Sequence, residues 1–196
     1  MQKTDSIQEP NDFQSVQSST AGFAHPPRTV AAMHIELGMK VADFGSGSGA
    51  YALLFADAVG PQGRVYAIDI QKDLLRRTHT MAVQKNLHNI EIIWGDVELP
   101  HGSKLADKLL DLVLISNLLF QVTGKGELMK EARRVLKSGG RLVVVDWSDS
   151  FGGLGPQPGD IVTEEKARIL AQAHGFLFQK SFDAGAHHYG MIFDTV

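Results

Sequence analysis

Val41-Ala42-Asp43-Phe44-Gly45-Ser46-Gly47-Ser48-Gly49-Ala50-Tyr51 is the stretch on which the reading of this chain turns. An apolar run enters it, three glycines alternate through it, and a helical pattern leaves it. Glycine lets the backbone bend sharply and approach a ligand that a Cβ would hold off. A helix starting here points its unpaired N–H groups at that ligand. The stretch therefore reads as a nucleotide-binding turn after the first strand of an α/β domain. Asp43 stands two residues before the first glycine and Ser46 lies inside the turn.

Two acids downstream extend the reading. Asp69 ends a second strand, Arg64-Val65-Tyr66-Ala67-Ile68, and is followed by Ile70. An acid at that place can accept hydrogen bonds from both hydroxyls of a ribose. Asp96 follows a third strand in Trp94-Gly95-Asp96-Val97, where it can accept an exocyclic amine of adenine. The glycine spacing is Gly-x-Gly-x-Gly, and Tyr51 occupies the place where a dinucleotide fingerprint needs a third small residue. No Gly-Lys-Ser/Thr follows the turn, which excludes a P-loop.

The remaining elements alternate. A first helix opens at Pro26-Pro27 and carries Val30, Met33, His34 and Leu37 at helical spacing, with Gly38 as its stop. Lys40–Phe44 is strand one and Ala50–Val59 a helix; Gln71–Lys85 is a helix after strand two. Strand three is Ile90–Trp94, and 97–110 is a loop with a short turn. Leu109–Ile115 holds strand four, a near-continuous apolar run typical of burial on both faces. A helix spans Gly126–Leu136, and Ser138-Gly139-Gly140 turns into strand five, Arg141–Trp147. Residues 148–160 form a Gly- and Pro-rich loop before a helix capped by Thr163 and stopped at Gly175. Phe176–Phe182 and His188–Phe193 close the chain as two strands around Asp183-Ala184-Gly185. Strand–helix alternation up to a final strand pair predicts a doubly wound, Rossmann-like, mostly parallel sheet with an antiparallel last strand. Ligands on such sheets bind beyond the carboxyl ends of the strands, where every candidate above lies.

Composition bounds the rest. The chain has 196 residues, 43% of them hydrophobic, which suits one domain over 21–196. Residues 1–20 hold only Met1, Ile7, Phe13 and Val16 as clear apolar side chains, too few to offset the entropy of ordering. A disordered tail is expected there. The net charge of -3 and the lack of a Lys/Arg run disfavour nucleic acid. No cysteine is present, so no thiolate site or disulfide exists. No apolar run is long enough to span a membrane and no signal core opens the chain, so a cytoplasmic place is expected.

Taken together, these motifs resemble those of class I S-adenosylmethionine-dependent methyltransferases. The resemblance rests on Val41–Gly49, Val65–Asp69, Gly95-Asp96, Asp111-Leu112-Val113-Leu114-Ile115-Ser116-Asn117 and Arg134-Val135-Leu136-Lys137-Ser138-Gly139-Gly140-Arg141. It covers about 25–196 and is similar to the small-molecule, quinone-biosynthesis and arsenite types; the arsenite type depends on cysteines, which are absent. It implies a seven-stranded sheet of order 3-2-1-4-5-7-6 with strand seven antiparallel and helices on both faces. It also implies S-adenosyl-L-methionine as cofactor. The Gly45–Gly49 turn would contact the amino-acid part and Asp69 the ribose. Asp96 and Val97 would flank adenine, and Ser116 and Asn117, with Gln121 beyond them, would lie near the methionine moiety.

Methyl transfer from a sulfonium needs an aligned acceptor and a dry site, and a base only if the acceptor must lose a proton. Candidate catalytic residues are His25, Asp146 at the end of strand five, and His187; within a strand, His187 and His188 would point to opposite faces. No spacing fixes a metal site, and none is expected. A small-molecule acceptor is the reading adopted. The rivals are RNA or protein methylation, suggested by a likeness of Val59–Ala67 to fibrillarin-like enzymes, a non-catalytic S-adenosylmethionine-binding module, and an NAD(P)-dependent oxidoreductase.

Overall fold

The computed structural model describes residues 24–151, 153 and 155–196. The tail expected over 1–20 lies outside the described residues. Helices and strands alternate as α1 (Pro26–Ala32), β1 (Lys40–Phe44), α2 (Ala50–Val59), β2 (Arg64–Asp69), α3 (Lys72–Gln84) and β3 (Ile90–Trp94). They continue as β4 (Leu110–Ser116), α4 (Lys125–Val135), β5 (Leu136–Trp147), α5 (Glu164–Ala173), β6 (Phe176–Asp183) and β7 (His188–Thr195). A single 3₁₀ turn, Pro158–Asp160, interrupts the loop before α5.

The seven strands form one sheet of order β3-β2-β1-β4-β5-β7-β6, as the resemblance implied. All pairs are parallel except β5–β7 and β6–β7. Alternation along each strand sorts side chains between two layers. Val41, Val65, Leu112, Leu114, Val143, Val145 and Ile192 pack under α1 and α2. Ala42, Phe44, Ile68, Val113, Ile115, Val144 and Phe193 pack against α4 and α5. Because β1 and β4 are central, their residues are buried on both faces, which is why they read as continuous apolar runs. Among the described residues no helix is long and apolar enough to cross a membrane.

Two expectations about local structure fail. The first helix ends at Ala32 and not at Gly38. Just past its end, the Arg141 guanidinium donates to the carbonyls of the C-cap residue Met33 (2.6 Å) and of His34 (3.0 Å). A cation is a good partner for a helix's negative end, so the chain leaves the helix there. Leu37 is left 80% exposed, which the helical pattern did not foresee. Second, Ser138-Gly139-Gly140 is no separate turn. It lies within β5, which pairs Leu110 with Leu136 and then shifts register so that Leu112 meets Arg141. Gly139, at φ 74, takes up the irregularity.

One buried polar network fastens α4 to the loop after β3. Glu131 is 3% exposed, and its carboxylate accepts from the Arg134 guanidinium and from the N–H and O–H of Ser103. Burial pushes the Glu131 carboxyl up, but Arg134 and Ser103 together hold it below the usual carboxylate range. Arg134 also donates to Leu105 O and Asp107. Arg134→Met strands the buried carboxylate and is expected to destabilise the protein by about 3–5 kcal/mol. Urea denaturation at neutral pH measures this; a loss under about 1 kcal/mol would show the network to be solvent-screened.

Candidate functional site

The glycine turn is built from backbone contacts to β2. The N–H groups of Gly45 and Ser46 both donate to Ile68 O, at 2.9 and 3.0 Å. Gly47 N–H donates to Asp69 Oδ2 at 2.9 Å, and Gln71 N–H to Asp69 Oδ1 at 2.8 Å. Each Asp69 oxygen thus holds one backbone group and keeps further lone-pair capacity. The three glycines do different work. A Cβ on Gly49 (φ 85) would sit 2.6 Å from Thr78 of α3, so this glycine serves packing within the protein. A Cβ on Gly45 would meet the Leu118 side chain at 2.9 Å. Only Gly47 (φ 53) has open space on its Cβ side, as a ligand approaching the backbone requires.

Gly45, Gly47, Asp69, Ile70, Gly95, Asp96, Val97 and Gln121 all line one cleft of about 250 Å³ at the carboxyl ends of the strands. Ile68, Leu74, Leu118 and Val122 give it apolar walls. A larger hollow of about 710 Å³ lies at the opposite end of the sheet, among Lys40, Asp57, Arg64 and Asn89. The smaller cleft is the better site because the turn, the acids and the helix N-terminus converge there. Asp96 also caps its own turn, accepting from Glu98 N–H at 3.0 Å. Glu98, unremarked in the sequence, lines the cleft but spends one oxygen on the N–H groups of Thr123 and Gly124 before α4.

Asp43, Ser46, Gly49, Ser116 and Asn117 do not line that cleft. Asp43 and Ser116 instead gather around Tyr51 with Thr29 of α1, and Asp43 lies near Asp69 of the cleft. Asp43 is 1% exposed, and burial pushes its carboxyl up to about 7; the Ala52 N–H works against this and the nearby Asp69 with it. Asp43 Oδ2, Ser46 Oγ, Thr29 Oγ1 and Tyr51 Oη are buried with no hydrogen-bond partner among the described residues. Tyr51 Oη lies beside the Thr29 and Ser116 hydroxyls, short of full hydrogen-bonding geometry, and burial raises its pKa. Asn117 adopts φ 51 and leaves its buried Oδ1 without a partner, while its carbonyl accepts from Gln121. Groups of this kind carry a desolvation cost that a polar ligand or water relieves. The sequence does not mark Thr29 or Tyr51 for this cluster: α1 is remote in sequence from the turn, and Tyr51 stands out there only for its bulk.

The catalytic candidates separate. Asp146 points to the α4–α5 face, opposite to its neighbour Trp147. Its oxygens accept from Leu119 N–H (2.9 Å) and Trp147 N–H (2.8 Å), so it braces the loop after β4. Burial pushes its carboxyl up to about 6 against those bonds. His25 caps α1, its Nδ1 accepting from Arg28 N–H at 3.3 Å. His187 is not in a strand: it sits in the turn before β7 at φ 62, so the alternation expected of His187 and His188 does not apply. His187 Nδ1 lies 2.5 Å from Asp149 Oδ1, and its ring stacks on Phe151. His188 is buried against Trp147, with its pKa lowered by burial. Among the described residues no group of His, Cys, Asp and Glu forms a metal-binding cluster.

Comparison with known proteins places this geometry. A family model described as a methyltransferase domain matches residues 35–184. The chain is 31% identical over 121 residues to a demethylmenaquinone methyltransferase of Listeria monocytogenes serotype 4a, covering 61% of this chain and 49% of that protein. A demethylmenaquinone methyltransferase of Geobacillus stearothermophilus is 32% identical over 117 residues, covering 59% and 48%. The chain thus spans about half the length of the curated relatives it matches. A solved S-adenosylmethionine-dependent methyltransferase of Aquifex aeolicus superposes with a TM-score of 0.79 at 23% identity, over 88% of this chain and 90% of that one. The cyclase SpnF superposes at 0.73 and 15% identity, over 87% and 80%, so the fold alone does not fix the chemistry.

The Asp43 carboxyl gives a signed expectation. Its folded pKa is raised, so its contribution to stability is complete below the ordinary value of 3.8 and is lost as pH rises toward about 7. Asp43→Asn removes that slope. In the ligand-free protein, the melting temperature of the variant is expected to match the wild type near pH 4 and exceed it by several degrees near pH 8. Parallel curves from scanning calorimetry would show that Asp43 is ionised throughout.

Proposed function

The chain belongs to the methyltransferase domain family, and from that premise we propose that it moves a methyl group from S-adenosylmethionine to a small-molecule acceptor. The observation that supports this most is the union, in one cleft, of Gly47's open backbone, the Asp69 carboxylate and the Gly95-Asp96-Val97 loop. The residues present fit the cofactor. Asp69 has lone pairs left for a ribose diol, and Asp96 suits an exocyclic amine. Leu74, Val97 and Val122 suit the faces of a purine. The orphaned Asp43 Oδ2 and Ser46 Oγ suit the ammonium and carboxylate of an amino-acid end. When bound, the cofactor supplies a methyl group already activated on a sulfonium.

The protein's own share is position and dryness. The turn, tied to β2 at Ile68 and Asp69, fixes where the donor's amino-acid end rests. Leu118 closes over Gly45 and keeps the loop after β4 against the turn. Trp147 ends β5, next to Ser116 at the end of β4, the side from which an acceptor would meet the donor. The demethylmenaquinone relatives support a small, ring-bearing acceptor.

S-adenosylhomocysteine is expected to bind the purified protein in calorimetry, and NAD(H) is not. Asp69→Asn, which keeps the shape but weakens the acceptor, is expected to lower that affinity about 10- to 100-fold. Unchanged affinity would remove Asp69 from the site. Transfer of labelled methyl from S-adenosylmethionine into the RNA fraction of a cell extract would overturn the small-molecule reading.

A further inference from the structure

We propose that the outer edge of β3, with the groove between it and α3, docks an extended acidic segment of a partner protein as an added strand of the sheet. The surface lies outside the donor cleft, and the inference does not rest on the methyl-transfer reading.

β3 stands last in the sheet order, so β2 covers one of its edges and no described strand covers the other. The ladder decides which backbone groups are left over. Val65 N–H donates to Asn89 O and Gly95 N–H to Asp69 O, which turns the backbone of 89 and 95 toward β2. Alternate residues of a strand face opposite neighbours, so Ile90, Ile92 and Trp94 present their N–H and C=O groups outward. Lys104 Nζ agrees with this, reaching Trp94 O from the outside at 2.5 Å. A lysine on an edge blunts it, but this one covers only the carboxyl end. Ile90 and Ile92 keep the row of backbone groups that a strand-adding peptide needs.

The groove beside that row carries the charge. Lys72, Leu75, Arg76 and His79 form one stripe of α3, and with Ile92 and Trp94 they line an open hollow of about 560 Å³. Its floor is apolar, since Leu75 is buried and Ile92 half-buried. Its rim is cationic. Trp94 is 53% exposed and gathers two ammonium groups, Lys72 Nζ at 3.9 Å and Lys104 Nζ at 5.2 Å from the ring centre. Neither lysine has a carboxylate partner among the described residues. Arg76 pairs with Asp73, but both side chains are more than three-quarters exposed, so the pair is weak. No lining residue is acidic, on a chain whose net charge is -3. Trp94 Nε1 also donates to Ile70 O at 3.1 Å, which sets the groove beside the donor cleft that Ile70 lines.

Charge selects the occupant. A second copy of the chain, laid antiparallel on this edge, would bring its own α3 stripe over the same face and set two cationic rims together. An acidic extended segment meets both demands of the surface. Its backbone pairs with Ile90 and Ile92, and alternate side chains fall on the groove side. The pattern that fits on that side is acid, apolar, acid. One carboxylate meets Lys72 and Lys104 and the other meets Arg76 and His79, with the apolar side chain between them over Leu75 and Ile92.

The test uses the purified full-length chain and the peptide acetyl-Thr-Glu-Thr-Val-Thr-Glu-Thr-amide, which carries that pattern on one face. Titration calorimetry at low salt is expected to give a Kd of about 100 μM or tighter. Raising the ionic strength from about 0.05 to 0.5 M is expected to weaken binding about 10-fold, as is the double variant Lys72→Glu, Lys104→Glu. That variant should keep the wild-type melting temperature, since neither lysine is in an ion pair. Two N-methylated peptides report the strand pairing. Methylating the three groove-side residues and methylating the threonines between them should have opposite outcomes, one set abolishing binding and the other leaving it within about threefold. No heat at about 1 mM peptide, binding indifferent to salt, or two methylated peptides that bind alike overturns the proposal. Sedimentation that shows a dimer, from which Ile92→Pro frees monomers, gives the edge to a second copy and also overturns it; that proline removes an outward N–H and no bond to β2. Binding of the wild type but not the double variant to phosphatidylglycerol vesicles, without peptide binding, overturns it in favour of a lipid surface.

Discussion

The Asp69 carboxylate joins three pieces of the site. One oxygen accepts from Gly47 in the turn, the other from Gln71 at the start of α3, and Asp69 itself ends β2. With Ile68 O taking the N–H groups of Gly45 and Ser46, the turn is fastened to a strand and not left as a free loop. A glycine-rich segment has high entropy to lose, so its shape depends on such fixed partners. This fastening holds the floor of the cleft in place.

Legibility in the sequence followed the physics of each element. Strands buried on both faces have a compositional signature, so β1, β2, β4 and most of β5 were readable from Val41, Val65, Leu112 and Val143 and their neighbours. The glycine turn and the acids at strand ends were readable because their spacing is local. Non-local partners were not. The chain leaves the helix at Ala32, and Arg141, far along the chain, takes the carbonyls of Met33 and His34 that follow it; no pattern near residue 33 reveals that. Gly139 reads as a turn in sequence because only the register of β4 against β5 makes it a bulge.

The site shows the same division. The Gly45-Gly47 floor and the Asp69 and Asp96 walls were found from spacing, yet the glycines proved unequal. Gly49 is required by Thr78 of α3, a contact invisible until α3 is folded against the turn. Thr29 and Tyr51 stand beside Asp43 only because α1 packs over α2 and β1. Strand alternation then separates two neighbours that sequence left together. Asp146 goes to the α4–α5 face to brace the β4 loop, and Trp147 goes to the face that carries Asp43 and Ser116.

That separation bears on how the two ends of the site acquire their chemistry. The cleft is made of backbone and of carboxylates held at strand ends, features that the fold itself positions. Beyond β5 and β7 the chain runs in loops, with Asp149, Phe151 and Gly155 after β5 and His187 before β7. Loops can change without disturbing the sheet, since their contacts fall on one another and on the exposed ends of two strands. The same fold therefore carries a methyltransferase and a cyclase among its structural neighbours. In this chain the two loops are locked together, through Ser148 N–H to His187 O and Asp149 to His187. A change in either loop moves the imidazole that both of them hold.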